Sequence, residues 1–271
     1  MSDPASKRAA FRALHRTGCF VLPNPWDAGS ARLLQYMGFA ALASTSSGHA
    51  WTTGHPDYGV TLEGVLAHLT GLCDAVDLPI NADFEGGFAV EPEGVAANVL
   101  KAIGTGVAGL SIEDNKAGGG LYDLPTAVAR IRAARAAIDA SGHDVILVAR
   151  TEGMLSDSST FSSSLDKLVA FADAGADCLY APGVWGKENI TTMVRAVAPR
   201  PLNVLLWGPG VSVAELADMG VRRISIGGAL ARVAWGAVLS AAEQMKNGSF
   251  AGLENGASGR TLNGVFAEFG K

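Results

Sequence analysis

Between Cys19 and Lys246 the chain repeats one pattern eight times: a short apolar run, then a longer segment whose apolar positions recur three and four residues apart. The short runs have the length and composition of buried strands, and the longer segments have the period of helices packed on one face. The expected strands are 19–22, 39–44, 79–83, 107–113, 145–150, 177–181, 202–207 and 223–226. Helices are expected behind them at 27–37, 61–75, 92–103, 126–140, 161–174, 187–197, 213–219 and 229–246. A further helix over 4–17 comes first, with Pro4 near its start and Gly18 just past its end. Gly38, Gly104 or Gly106, Gly142, Gly175, Gly220 and Gly248 fall where left-handed C-terminal caps belong.

Eight strand–helix units in series predict an α/β fold, a (β/α)8 TIM-type barrel with an N-terminal helix and a C-terminal helical tail. The expected layout is one barrel domain over 1–271, with the helix in 1–18, the barrel in 19–246 and the tail in 247–271. An open dinucleotide-binding sheet would want G-x-G-x-x-G after an early strand, and the chain has none. In the tail Leu262, Val265, Phe266 and Phe269 stand at helical spacing. That stripe needs cover, from the chain's own barrel or from a neighbouring subunit.

Composition narrows the function. An apolar fraction of 48% is ample for a large core, and a net charge of −5 without any basic run argues against nucleic acid or an anionic membrane as partner. Cys19, Cys73 and Cys178 are scattered, with no C-x-x-C and no histidine at zinc spacing, so they read as small buried hydrophobes. No apolar leader and no run of 18 apolar residues appears, and a soluble cytoplasmic protein is the expectation.

In a barrel, chemistry gathers at the C-terminal strand ends. Those positions hold Ser44-Thr-Ser-Ser-Gly-His49, then Pro56-Asp57-Tyr58, Asp83 and Glu85, Glu113-Asp114-Asn115, Arg150-Thr-Glu152, Tyr180 and Trp207. Asp83 and Glu85 are two apart, so on an extended backbone both carboxylates face one side, and Gly86-Gly87 then let a ligand approach. Crowded carboxylates repel unless a cation neutralises them, and a hard ion such as Mg2+ takes oxygen ligands while keeping several waters. His49 and His55 flank this region as surface or loop-stabilising residues, or as alternative proton donors, and His15, His68 and His143 lie on the helix side as structural residues. Trp26 and Trp207 either wall a pocket or pack in the core.

Several motifs, in order over about residues 20–230, carry a resemblance. They are Asn24-Pro-Trp-Asp-Ala-Gly-Ser-Ala-Arg-Leu-Leu34, Thr45-Ser-Ser-Gly48, Pro56-Asp57, Asp83-Phe-Glu85-Gly-Gly, Ile112-Glu-Asp114 and Val148-Ala-Arg-Thr151. With them the chain resembles the isocitrate lyase / phosphoenolpyruvate mutase superfamily. The resemblance implies a barrel enzyme with Mg2+ or Mn2+, acting on small 2-oxo or 2-hydroxy carboxylates or phosphonate analogues through an enolate. Carried over by position, it implies that Asp83 is the main metal ligand, with Asp57, Glu85 and Glu113 ordering the metal's waters. Asp57, Glu113 and Arg150 would then be the catalytic set, Arg150 clamping a substrate carboxylate, and Ser46, Ser47 and Gly48 would bind the substrate. It also implies a homo-oligomer, dimer or tetramer, with an exchanged last barrel helix.

One departure bears on the reaction. The superfamily's lyases carry Lys-Lys-Cys-Gly-His after the fourth strand, its Cys the general acid. Here the stretch is Asn115-Lys-Ala-Gly-Gly-Gly-Leu-Tyr122-Asp123, a candidate lid that could bring in Tyr122 or Asp123. Decarboxylation of a 2-oxo dicarboxylate needs no such acid, because water can quench the enolate. The expectation is therefore a metal-dependent carbon–carbon lyase or decarboxylase. Phosphonopyruvate P–C chemistry and a non-catalytic metabolite-binding barrel stay open.

Overall fold

The computed structural model describes residues 2–116 and 118–270. Helix α1 (Pro4–Leu14) is followed by β1 (Phe20–Leu22), α2 (Ala28–Tyr36), β2 (Leu42–Ala43), α3 (Ser46–Thr52), α4 (Leu62–Ala75) and β3 (Ile80–Asp83). Then come α5 (Pro92–Gly104), β4 (Gly109–Glu113), α6 (Leu124–Ser141), β5 (Ile146–Arg150), α7 (Gly153–Ser156), α8 (Phe161–Asp173) and β6 (Cys178–Tyr180). The chain continues with α9 (Lys187–Val197), β7 (Leu202–Leu205), α10 (Val213–Asp218), β8 (Arg223–Ser225), α11 (Ala229–Lys246) and α12 (Gly259–Ala267).

All the strand pairs are parallel and run in the order β1-β8-β7-β6-β5-β4-β3-β2. The Ala43 N–H donates to the Pro23 carbonyl (3.0 Å) and so joins β2 to the end of β1, closing an eight-stranded α/β barrel. Asn24 staples that short seam. Its Nδ2 donates to the Ser44 carbonyl (2.9 Å), and its Oδ1 accepts from the N–H groups of Ile226 and Gly227 (3.0 and 2.9 Å).

Two apolar layers hold the barrel together. One lies between strands and helices, with Leu42, Ile80, Leu110, Leu147, Leu179, Val204 and Ile224 facing outward. The other fills the interior with Leu22, Ala43, Ile146, Val148 and Cys178, and Phe11 of α1 plugs its lower end. α1 is anchored by buried cations: Lys7 Nζ donates to the Cys73 and Val76 carbonyls, and Arg8 to those of Ile103 and Val107. The Cys73, Val76 and Ile103 carbonyls lie at the C-terminal ends of α4 and α5, where backbone dipoles favour positive charge.

Among the described residues the structure adds two α-helices outside the expected ones, α3 and the single turn α7, and decides between the two alternatives for the tail. Residues 45–48 open helix α3, because the Thr45 side chain caps it by accepting from the Gly48 N–H. The tail stripe packs on the chain's own barrel: Val265 is buried, Phe266 lies beside Gly29 of α2, and the Arg32 guanidinium sits 5.4 Å over the Phe269 ring. α11 behaves otherwise. Its Ala231 is buried, while Val233, Trp235, Val238 and Leu239 face solvent. Among the described residues no helix is long and apolar enough to cross a membrane.

Candidate active site

Register builds the centre of the site. Glu113 of β4 pairs with Arg150 of β5, and Arg150 with Tyr180 of β6. Residues paired across a parallel sheet point to the same face, so three adjacent strands present this row together. The Arg150 guanidinium lies 5.2 Å over the Tyr180 ring. Its Nε faces Glu113 Oε2 (3.4 Å) and donates to Glu152 Oε1, while Nη1 donates to Asp83 Oδ1 (3.3 Å). Burial alone would lower the proton affinity of Arg150, but Glu152 and Glu113 outweigh it and the group is held protonated.

Asp83 ends β3. Its Oδ2 accepts from both the backbone N–H and the hydroxyl of Ser46 (2.9 Å each), so the N-terminus of α3 points at this carboxylate. Glu85 arrives by a different route from the one its spacing suggests. The strand stops at Asp83 and Glu85 takes a left-handed backbone (φ 46), so alternation along an extended strand does not bring the two carboxylates together; the Phe84–Gly87 turn does. Burial first, then the charges of Asp83, Glu113 and Asp57, push the Glu85 carboxyl up to about 8. The deeply buried Glu113 is likewise pushed up, by burial ahead of its acidic neighbours, against the opposing pull of Arg150. Asp57 sits on the rim, its carboxyl raised by partial desolvation and by Asp83.

Asp57, Asp83, Glu85, Glu113 and Glu152 thus share one neighbourhood around the Arg150 guanidinium, which is already bound to acids. That is an electrostatic deficit that a cation would relieve.

Comparisons with known proteins give the family of this barrel. A family model described as phosphoenolpyruvate phosphomutase matches residues 11–246. The chain belongs to the phosphoenolpyruvate mutase / isocitrate lyase superfamily. A solved structure of a candidate lyase/mutase from Burkholderia cenocepacia J2315 is 43% identical, with TM-score 0.94 over 97% of each chain. The structure of 2,3-dimethylmalate lyase is 29% identical, with TM-score 0.85 over 99% of this chain and 96% of that one. The oxaloacetate decarboxylase of Rhodopseudomonas palustris (strain BisB5) is 26% identical over 275 residues, covering 96% of this chain and 89% of the relative.

The structure brings Asp57, Asp83, Glu85, Glu113 and Arg150 into one neighbourhood, where the Asp83 charge raises the carboxyls of Asp57 and Glu85. The serine segment divides. Ser46 reaches Asp83, whereas the Ser47 hydroxyl meets Thr45 Oγ1 (3.2 Å). The Gly48 N–H, expected to meet substrate, is directed at Thr45 Oγ1 (3.3 Å) as part of the helix cap. Gly48 has a packing task instead, since a Cβ there would sit 2.6 Å from Thr45 Cγ2 and 3.1 Å from Trp26 Cβ. Asp123, expected to enter with a lid, caps α6 by accepting from the Thr126 N–H (2.8 Å). Tyr122 is buried under Arg130, its ring 4.2 Å from the guanidinium. The lid stretch includes Ala117, which lies outside the described residues. Asp114 is turned away from the centre, toward Thr151 and Lys167. His49 stacks on His68 (3.7 Å), bracing α3 against α4, and Trp207 is exposed.

Tyr58 stood in the sequence only as a neighbour of Asp57, yet its hydroxyl donates to Glu113 Oε1 (2.7 Å) and accepts from Asn115 Nδ2 (3.2 Å). Its left-handed backbone (φ 62) is costly for an aromatic residue and turns the ring inward. Burial and the charge of Glu113 keep the phenol protonated. The only sequence signal was its place between Asp57 and Gly59.

Proposed function

We propose that the protein is a metal-dependent enzyme that cleaves a C–C bond of a small 2-oxo or 2-hydroxy dicarboxylate through an enolate, decarboxylation being the form its residues suffice for. The observation that carries this reading is the set of crowded carboxylates around Arg150, with burial and neighbouring acids raising the carboxyls of Glu85 and Glu113. The superfamily binds small carboxylate substrates and typically uses Mg2+. The names of the decarboxylase and the dimethylmalate lyase point to the same class of acid.

The donor set fits a hydrated Mg2+ or Mn2+. Among the described residues no three acid, histidine or cysteine side chains close on one point. An ion that keeps most of its waters needs only one or two carboxylates. Asp83 would hold it directly, Oδ1 having only the long contact from Arg150, and Asp57, Glu85 and Glu113 would accept from its waters. When bound, the metal supplies positive charge for the enolate oxygen.

The chain's own groups do the rest. Among the described residues nothing accepts from Arg150 Nη2, which leaves that edge of the guanidinium for a substrate carboxylate. As the C–C bond breaks its electron pair becomes the enolate, carbon dioxide leaves, and water returns a proton to carbon. The Ser46 N–H and hydroxyl hold Asp83 in place throughout. Tyr58 keeps Glu113 hydrogen-bonded. The exposed apolar face of α11 supports a homo-oligomer.

The test is a substrate panel. Chelator-treated protein is titrated with Mg2+ and Mn2+ and assayed with oxaloacetate, malate-type hydroxy acids and phosphonopyruvate. Metal-dependent release of carbon dioxide or of a C–C cleavage product is the expected result. Turnover of phosphonopyruvate alone would assign P–C chemistry, and no metal binding with no turnover would leave a metabolite-binding barrel.

A further inference from the structure

Beside the acid–arginine centre lies a cavity of about 530 Å3, between the turn that follows β3 and the loop that follows β4. Tyr58 and Glu85 line it and also belong to the centre, Tyr58 through its bond to Glu113. The far walls are Val60, Phe88, Val90 and Tyr122, a largely apolar and aromatic surface. We infer that this cavity is a side pocket for the substrate, taking an apolar alkyl or aryl substituent on C3 of the 2-oxo acid. This inference rests on the function proposed above and specifies its substrate.

Three features support it. First, the cavity is preformed. Arg130, 1% exposed on α6, donates to the carbonyls of Gly86, Ala89 and Val90 and stacks on Tyr122, tying the turn to the base of the loop. The turn is further fixed by left-handed residues at Gly87 and Phe88, and Asn98 donates to both of their carbonyls. The loop is pinned by Lys116 N–H to Gly120 carbonyl (2.9 Å) and Tyr122 N–H to Asp114 carbonyl (2.8 Å). A pocket that need not be ordered on binding retains more of its contact energy.

Second, the polar groups on its walls are mostly committed. The Arg130 guanidinium serves three carbonyls and Asn115 Nδ2 serves Tyr58, while Lys116 lies at the rim, 5.6 Å from the Tyr122 ring. Apart from Lys116 at the rim and Arg130 Nε, which has no hydrogen-bond partner among the described residues, the walls offer contact along the length of an alkyl or aryl group. Third, the volume lies within the usual range of ligand pockets, and an unsubstituted four-carbon acid held at Arg150 and Asp83 would leave it to water.

The chemistry defines a probe. Decarboxylation of 3-phenyloxaloacetate breaks C3–C4, releases carbon dioxide, and after protonation at C3 gives phenylpyruvate with the substituent retained. Calorimetric titration of the Mg2+-loaded full chain should show phenylpyruvate binding at least tenfold more tightly than pyruvate. Val60→Trp and Val90→Trp should each fill the cavity and erase that advantage. In turnover, each should lower the ratio of kcat/KM for 3-phenyloxaloacetate over oxaloacetate at least tenfold. Equal affinities in the wild type, or an advantage that survives both fillings, would overturn the side pocket while leaving the proposed reaction standing. Failure to bind either acid, together with no turnover of oxaloacetate, would overturn the proposed reaction itself.

Discussion

At Glu85, burial and neighbouring acids together favour the protonated carboxyl. Its carboxyl rises from an ordinary 4.5 to about 8, chiefly by burial and then by Asp83, Glu113 and Asp57. Between those values the native state holds a proton that the unfolded chain has lost, so this group's contribution to stability falls as pH rises through the window. A divalent ion favours the ionised carboxylates and must displace that proton. Binding of Mn2+ to metal-free protein should therefore release about one proton near pH 7, and apparent affinity should rise toward pH 8, by up to about tenfold per unit for each proton released. Calorimetry in two buffers of different ionisation enthalpy, from pH 6 to 9, measures this. Affinity independent of pH, with no proton release, would mean that these acids do not serve a metal. Asp83, Glu113 and Arg150 were legible in the sequence because each ends a recognisable strand. Tyr58 and Arg130 were not. Tyr58 depends on a left-handed backbone and a contact with Glu113 far along the chain. Arg130 is indistinguishable in sequence from any basic residue of an amphipathic helix, and only its buried carbonyl partners set it apart.

Among the elements, pattern reading missed α3 and the single turn α7, and α3 carries the most consequence for the site. The segment Ser46–Thr52 is short and its glycine, serines and threonine are weak helix formers, so propensity gave no sign of a helix. Tertiary contacts make it: Thr45 caps it, His49 stacks on His68, and Gly48 lets it press against Trp26 and Ala231. A methyl at Gly48 would meet three side-chain carbons at 2.6 to 3.3 Å, none at the end of a long flexible chain. Gly48→Ala should cost about 1–3 kcal/mol as an overpacked site. It should also weaken metal binding, because α3 must shift and Ser46 with it, away from Asp83. Thermal denaturation and metal titration check both parts. Lower stability with unchanged metal affinity would separate α3 from the centre. The eight strands and the helices behind them were readable because apolar period and glycine caps agree, as at Gly142 (φ 70), which ends α6.

The whole molecule poses a question at α11. As the eighth helix of the barrel it should lay an apolar stripe on the neighbouring strands, yet Val233 and Leu239 are each 70% exposed and Trp235, Val238 and Met245 also face solvent. The tail does not cover them, since α12 crosses to α2 and spends its own stripe there. Sequence alone could not separate the two cases, because both helices carry apolar residues at helical spacing and only contacts show which stripe is covered. Apolar side chains concentrated on one helix mark a surface that another protein covers, and a second copy of the same chain is the partner always at hand. Sedimentation of the wild type should therefore give a dimer or tetramer. The double variant Val233→Glu, Leu239→Glu places two charges on this face without touching Ala231, the anchor against Gly48, and should sediment as a monomer with its barrel folded. Because α11 starts beside α3, where a Cβ on Gly228 would lie 2.9 Å from the Ser47 hydroxyl, loss of the partner should also lower metal affinity. A wild type that is monomeric at micromolar concentration would remove the homo-oligomer from the proposal and leave α11 as an exposed surface still in need of an occupant.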